Sequence, residues 1–129
     1  MLDIILVKLQ TNQLNAMKFF YESILGFKVL EEAHNKFTIQ TGLTVVTFSD
    51  ERVTKNPFYH FAFDIPSNQF NSAKEWIKQK VQLSTENDED EAYFDSIKAR
   101  SLYFEDPAGN IVEFISRLED SPKSNLPFT

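Results

Sequence analysis

The chain contains no cysteine, and only three glycines, two histidines and one tryptophan in 129 residues. Without cysteine there is no disulfide framework, no thiolate nucleophile and no thiolate-bound metal. Its glycines, Gly26, Gly42 and Gly109, stand far apart, so no glycine-rich loop is present to cradle a phosphate. No Ser/His/Asp arrangement is visible either. Basic residues are in deficit: 13 Lys and Arg against 19 Asp and Glu give a net charge of −6 and a pI near 4.9. Nucleic acid is thereby excluded as an expected partner, because phosphate binding needs a basic face. A membrane is excluded as well, since there is no basic amphipathic helix. The first residues, Met1 to Lys8, lack a charged leader region and are too short for a spanning segment, which leads us to expect a cytoplasmic protein.

What the chain does have is aromatic bulk, with thirteen Phe to fill one core, and a length suited to a single domain. Alternation predicts a first strand over residues 3–10, with Leu6, Lys8 and Gln10 on one face and Ile5, Val7 and Leu9 on the other. Asn12 is the expected N-cap of a helix whose apolar residues Leu14, Met17, Phe20, Tyr21, Ile24 and Leu25 fall at helical spacing, and Gly26 stops it. Strands are predicted over 27–32, 36–40 and 43–48. The second half repeats the pattern: a strand over 58–65, a helix opened by Pro66-Ser67-Asn68 with Phe70, Ala73, Ile77 and Val81 inward, a short strand over 82–84, and strands over 99–105 and 110–116. This is an α+β fold of two repeated β-α-β-β-β modules, residues 1–50 and 57–117, within one domain 1–117. Residues 118–129 form a tail, expected to be a frayed end or an arm on a neighbouring subunit. The acidic run Glu86–Glu91 lies in a long connection, about residues 85–98, which reads as a solvated loop or as a lid.

The last two strands form a hairpin around Asp106-Pro107-Ala108-Gly109-Asn110, in which Asp starts the turn, Pro presets φ and Gly supplies a positive φ. In its second strand Glu113 shares a face with Ile111 and Ile115, while Val112 and Phe114 face the other way. A carboxylate among isoleucines is costly unless something answers it. His60 is the candidate. It lies on the face of its strand opposite the bulky Tyr59, Phe61 and Phe63, and should therefore look into a cleft. The other histidine, His34, reads as an exposed turn residue.

Three stretches, Phe20-Tyr21-Glu-Ser-Ile-Leu25-Gly26-Phe27, His60-Phe-Ala-Phe63 and Asp106-Pro107-Ala-Gly109-Asn110-Ile-Val-Glu113, occur in this order within a duplicated module. Together they resemble the vicinal oxygen chelate superfamily, the group of glyoxalase I, fosfomycin and bleomycin resistance proteins, and extradiol dioxygenases. The resemblance implies curled mixed sheets around a cleft, and metal ligands on the first and last strand of each module. Carried onto this chain, those positions are Leu6, Val46, His60 and Glu113, Val46 being placed by aligning Gly42-Leu-Thr-Val-Val-Thr-Phe48 with Gly109-Asn-Ile-Val-Glu-Phe-Ile115. Two of the four are aliphatic, whereas a catalytic metal normally needs at least three protein ligands.

For His60 and Glu113 three readings stay open: a structural hydrogen-bonded pair, an anchor for a polar group of a bound molecule, or a metal site completed by other donors. Glu113 is the one candidate for catalysis, as a carboxyl whose apolar cleft would push its pKa toward neutrality. Phe48 and Phe58 are expected to line the cleft beside Val46 and His60, with Leu6 in it and Lys8 at its mouth. The expected function is binding of a small organic molecule in an apolar cleft without a complete metal site. The alternative is a metal-dependent lyase, isomerase or dioxygenase using His60 and Glu113. No cofactor is expected, a divalent metal entering only under that alternative. Exposed sheet edges lead us to expect a homodimer.

Overall fold

Inward-facing aromatics at every second position draw each half of the chain into a sheet backed by a helix. The computed structural model describes residues 5–53, 55–119, 123–124 and 128. The first module runs β1 (Ile5–Gln10), α1 (Leu14–Lys18), a π-helical turn (Phe19–Ile24), β2 (Lys28–Ala33), β3 (Lys36–Thr41) and β4 (Thr44–Ser49). The second runs β5 (His60–Asp64), α2 (Phe70–Lys78), β6 (Ala92–Phe94), β7 (Ala99–Glu105) and β8 (Ile111–Arg117). The sheets have equivalent orders, β1-β4-β3-β2 and β5-β8-β7-β6. In each, the first strand pairs parallel with the last and the remaining pairs are antiparallel. The architecture is the α+β pair of β-α-β-β-β modules that the repeat predicts. No helix among the described residues is long and apolar enough to cross a membrane.

The two inner faces share one core. Phe48 of the first sheet meets Phe61 of the second edge-on at 5.9 Å, Tyr21 stacks on Phe48 at 5.3 Å, and Phe27 meets Phe63 at 5.4 Å. Each such side chain contributes about 1.5–3 kcal/mol on burial. The modules are also tied through backbone at Asp64. Its N–H donates to Thr44 Oγ1 (2.8 Å) and its carbonyl accepts from Leu43 N–H (3.2 Å). Gly42, at φ +57°, lies so close that a Cβ there would stand 2.5 Å from the Asp64 carbonyl oxygen. Only a residue without a side chain fits this junction.

Several expected boundaries move. Asn12 does not cap α1; its side chain bonds Asn56, and Thr11 Oγ1 accepts the Gln13 N–H instead (3.1 Å). The helix widens into a π turn, with Leu25 N–H donating to Phe20 C=O at 2.9 Å. With that extra residue in the turn, Leu25 lies in the core and Ile24 is exposed, although both fall at helical spacing with the buried Met17, Phe20 and Tyr21. The second helix begins at Phe70, after a turn in which Gln69 N–H donates to Pro66 C=O at 2.9 Å and the Asn68 side chain exchanges hydrogen bonds with the Ser124 backbone. Residues 82–84 are not a strand. Leu83 is buried and Ser84 N–H makes one bond to Tyr103 C=O, but the ladder beside β7 is built by Ala92–Phe94, inside the connection read as a loop. A reversal at Asp95 to Lys98, with Lys98 at φ 48°, lets that short aromatic run fold back on Ala99–Ser101. Residues 3–4 of the first expected strand and most of the tail lie outside the described residues. Within the tail, Phe128 packs on Trp76 (5.4 Å) and Phe114 (5.9 Å), against the same chain.

Candidate functional site

Glu113 sits in the middle of β8, opposite Ala62 of β5 and Tyr103 of β7. Alternation sends Val112 and Phe114 into the core and Glu113 to the outer face of the sheet, where only 9% of it is exposed. A carboxylate so placed must be answered by donors. Its Oε1 accepts from His60 Nε2 at 2.9 Å, and its Oε2 accepts from Ser101 Oγ at 2.7 Å and from the Tyr103 hydroxyl at 3.4 Å. A carboxylate facing hydroxyl donors acts as acceptor, so Nε2 carries the imidazole proton and Nδ1 is left as the free acceptor of the ring. Burial, and then the Glu113 charge, push the Tyr103 hydroxyl above its ordinary value, which keeps its proton in place to donate. The Tyr103 ring also meets the His60 ring edge-on at 5.8 Å.

An open cavity of about 630 Å³ lies over this row, floored by His60, Tyr103, Glu105 and Ile111 and walled by Tyr93 and the 84–91 segment. The acidic run is strapped down at its end. Lys74 of α2 bonds Asp90 at 2.7 Å and Glu91 at 2.6 Å, while Arg100 bonds Glu91 at 2.9 Å and lies over the Phe70 ring at 4.4 Å. The Lys74 hydrogen bond holds Asp90 below its ordinary carboxylate value. For Glu91, burial pulls upward, but Lys74 and Arg100 outweigh it and the net shift is down. Glu86 and Glu89 line the cavity and exchange backbone hydrogen bonds at 2.9 and 3.0 Å.

A second buried carboxylate, Asp106, organises the hairpin turn. Its Oδ1 accepts the Ala108 and Asn110 N–H groups at 3.0 Å each; its Oδ2 accepts from Asn110 Nδ2 (2.8 Å) and the Tyr21 hydroxyl (2.7 Å). Burial raises Asp106 above its ordinary value and raises Tyr21 well above its own. The turn thereby fixes the start of β8, and with it the register of Glu113.

The structure brings His60 and Glu113 together and separates the other expected site residues from them. Val46 and Phe48 are fully buried in the core, away from the cavity over His60. Aligning the two modules on their glycines ignored that the second hairpin turn is longer, and a one-residue slip reverses every side chain. The ladders give the true equivalence. With Leu6 set against His60, the ladder pair Lys8–Thr47 coincides with Ala62–Glu113, and Thr47, on the outer face like Glu113, is its counterpart. Leu6 is 72% exposed on the outer face of the first sheet, and Lys8 lines a different cavity there. Phe58 precedes β5 and is 74% exposed, outside the lining of either cavity. His34 is exposed in the β2–β3 turn. Ser101, Tyr103 and Thr47 were missed, although their alternation with Leu102, Phe104 and Phe48 was a readable signal.

A resident catalytic metal does not fit these donors. Leu6 and Thr47 offer neither imidazole nor carboxylate, and both Glu113 oxygens already accept protein hydrogen bonds. Among the described residues no group of three His, Cys, Asp or Glu side chains is placed to hold a metal ion.

Residues 3–114 match the family model of the Glyoxalase/Bleomycin resistance protein/Dioxygenase superfamily. No curated protein matches the chain in sequence. Among solved structures it is similar to lactoylglutathione lyase from Agrobacterium tumefaciens, at 19% identity over 91% of this chain and 96% of that one, with a TM-score of 0.67. It is also similar to a glyoxalase/bleomycin resistance protein/dioxygenase from Nocardioides, at 18% identity over 98% and 90% of the two chains, TM-score 0.64. A third is a glyoxalase/dioxygenase from Nostoc punctiforme, at 22% identity over 89% and 90%, TM-score 0.58. At these identities the likeness is one of fold.

Proposed function

Because the chain belongs to the glyoxalase/bleomycin resistance protein/dioxygenase superfamily, we propose that it binds a small organic molecule over the His60–Glu113 pair, without a complete metal site. The observation that carries this reading is the engagement of both Glu113 oxygens, Oε1 by His60 and Oε2 by Ser101 and Tyr103. A carboxylate so engaged holds the imidazole in one tautomer rather than reaching for a metal or a substrate proton. His60 is then the residue that touches the ligand, through Nδ1, and Glu113 is its positioning residue. Tyr93, Tyr103 and Ile111 supply apolar wall, in keeping with small-molecule sites that combine such walls with a few convergent polar groups.

The reading includes a homodimer. β1, β2, β5 and β6 each pair on one side only, and Ile5, Leu6, Phe58 and Ile111 expose apolar surface. Light scattering should give twice the 15.0 kDa chain mass.

A thermal-shift screen of small aromatic hydrogen-bond donors tests the binding reading. A ligand at a hundredfold its Kd should stabilise the protein by about 2.7 kcal/mol. The shift should persist in EDTA and be lost in His60→Ala. A shift that disappears in EDTA and returns with zinc or nickel would instead make this a metal-dependent lyase, isomerase or dioxygenase.

A further inference from the structure

We infer that the outer face of the first sheet is a separate binding site for a compact dianion, a phosphate ester or a dicarboxylate, gripped by Lys8, Lys36 and Arg52. An open cavity of about 640 Å³ lies on this face. Two cross-strand rows form its floor, Lys8–Thr47 and Gln10–Ser49–Lys36, running over β1, β4 and β3. Strand alternation puts these side chains on one face, because Val46, Phe48, Phe37 and Ile39 fill the other. Arg52, just beyond β4, and Tyr59, just before β5, close the rim.

The charges at this face run against those of the whole molecule. In a chain of net charge −6, three cations converge on one cavity. Lys18, Lys74, Lys98, Arg100 and Arg117 have carboxylate partners; Lys8, Lys36 and Arg52, like Lys28, Lys55, Lys78 and Lys80 elsewhere on the surface, have none within ion-pair distance among the described residues, and these three share one cavity. The lining also contains one carboxylate, Glu51, which leaves three cations against one anion. Its Oε1 accepts from Asn35 Nδ2, its N–H donates to Ser49 Oγ at 3.2 Å, and its carbonyl accepts from Gln10 Nε2 at 3.3 Å.

Those bonds fix the backbone immediately before Arg52, which is held at φ 58°, a left-handed conformation that a side chain disfavours. An arginine in a strained position that glycine would fill freely suggests that its side chain is used there. Neutral donors complete the set. The Tyr59 hydroxyl accepts the Gln10 N–H at 3.3 Å, which leaves its own proton to donate. Ammonium and guanidinium groups together with hydroxyls suit a group with several charged oxygens.

The site lies on a different sheet from the His60 cavity, and neither proposal depends on the other. Titration calorimetry at low ionic strength with phenyl phosphate and, separately, phthalate tests it. We expect saturable binding of at least one probe, weakening as salt is added. Lys36→Gln and Arg52→Gln should each weaken it about tenfold, the effect of one charge-assisted hydrogen bond. Lys28→Gln, which removes the same charge from an exposed site outside the cavity, should leave it unchanged. Arg52→Gly should raise the melting temperature by relieving the backbone while losing the same affinity. Tighter binding of phenyl phosphate identifies a phosphate ester, and tighter binding of phthalate a dicarboxylate. No binding of either probe at millimolar concentration, or equal weakening by Lys28→Gln, overturns the inference.

Discussion

Where the second sheet sets Tyr103 against Glu113 across β7 and β8, the first sets Thr38 against Thr47 across β3 and β4. One row holds a carboxylate gathered by an imidazole and two hydroxyls; the other holds two threonine hydroxyls 2.8 Å apart, with Lys8 beside them. One residue along each strand, the inner faces hardly differ: Val46 and Phe48 in the first sheet, Val112 and Phe114 in the second, all fully buried. The core punishes change by several kcal/mol, since a shared interior tolerates neither voids nor unpaired charge. The outer faces carry no such constraint and have acquired opposite charge, cationic over the first sheet and acidic over the second.

The strongest test of this contrast exchanges a face. Val46→Glu puts an unpaired carboxylate in the core and should cost at least about 4 kcal/mol, enough to prevent folding. Thr47→Glu, one position on, should cost less than about 1 kcal/mol. Circular dichroism melts of the two variants decide whether Thr47 or Val46 is the counterpart of Glu113.

Separating the modules should cost nearly as much. Gly42→Ala places a Cβ at 2.5 Å from the Asp64 carbonyl oxygen, at a positive φ, and should destabilise by about 3 kcal/mol in urea denaturation. Gly109→Ala, in the second hairpin, also meets a positive φ but nothing within 4 Å, so only about 1 kcal/mol is expected there.

A smaller effect separates the two outer rows. Glu113→Gln turns one of the two acceptor oxygens into an NH2 donor, which forces His60 or the Ser101 and Tyr103 hydroxyls to reverse their bonds, and should cost about 1–2 kcal/mol. Thr47→Val, which breaks the corresponding hydroxyl pair, should cost about 0.5–1 kcal/mol. Equal costs would mean that the second row is not the more organised of the two.

The smallest expected effect is that of acid on the strap over the second cavity. Asp90 and Glu91 are held below their ordinary values of 3.8 and 4.5, so their ion pairs contribute stability above those values and lose it as pH falls through the lowered ones. Hydrogen exchange at residues 86–91 should therefore quicken below about pH 4 relative to the β3–β4 hairpin. Lys74→Met should reduce that difference by removing the shared partner, leaving the part that Arg100 holds through Glu91.

Much of this architecture is legible in the residues themselves. Alternating Phe and Val, helix-spaced apolar positions and the Asp106-Pro107-Ala108-Gly109-Asn110 turn specify two β-α-β-β-β modules, because each signal is local and repeats. The pairing of His60 with Glu113 was legible too, since a lone carboxylate between isoleucines needs a donor and the chain has few to offer.

What lay beyond the sequence depended on contacts between distant segments. The choice of residues 92–94 over 82–84 as edge strand rests on a turn held by Lys98. The true register of Thr47 against Glu113 follows from unequal hairpin loops and can be read only from the ladders. The sequence by itself determined which residues go inward, because burial of apolar area is a property of each side chain and its period along the strand. Only the tertiary structure decided which polar residues meet on the outer faces. Those meetings join strands more than forty residues apart in the chain, His60 with Glu113 and Gln10 with Tyr59. Their register is set by the packing of the whole core rather than by any local pattern.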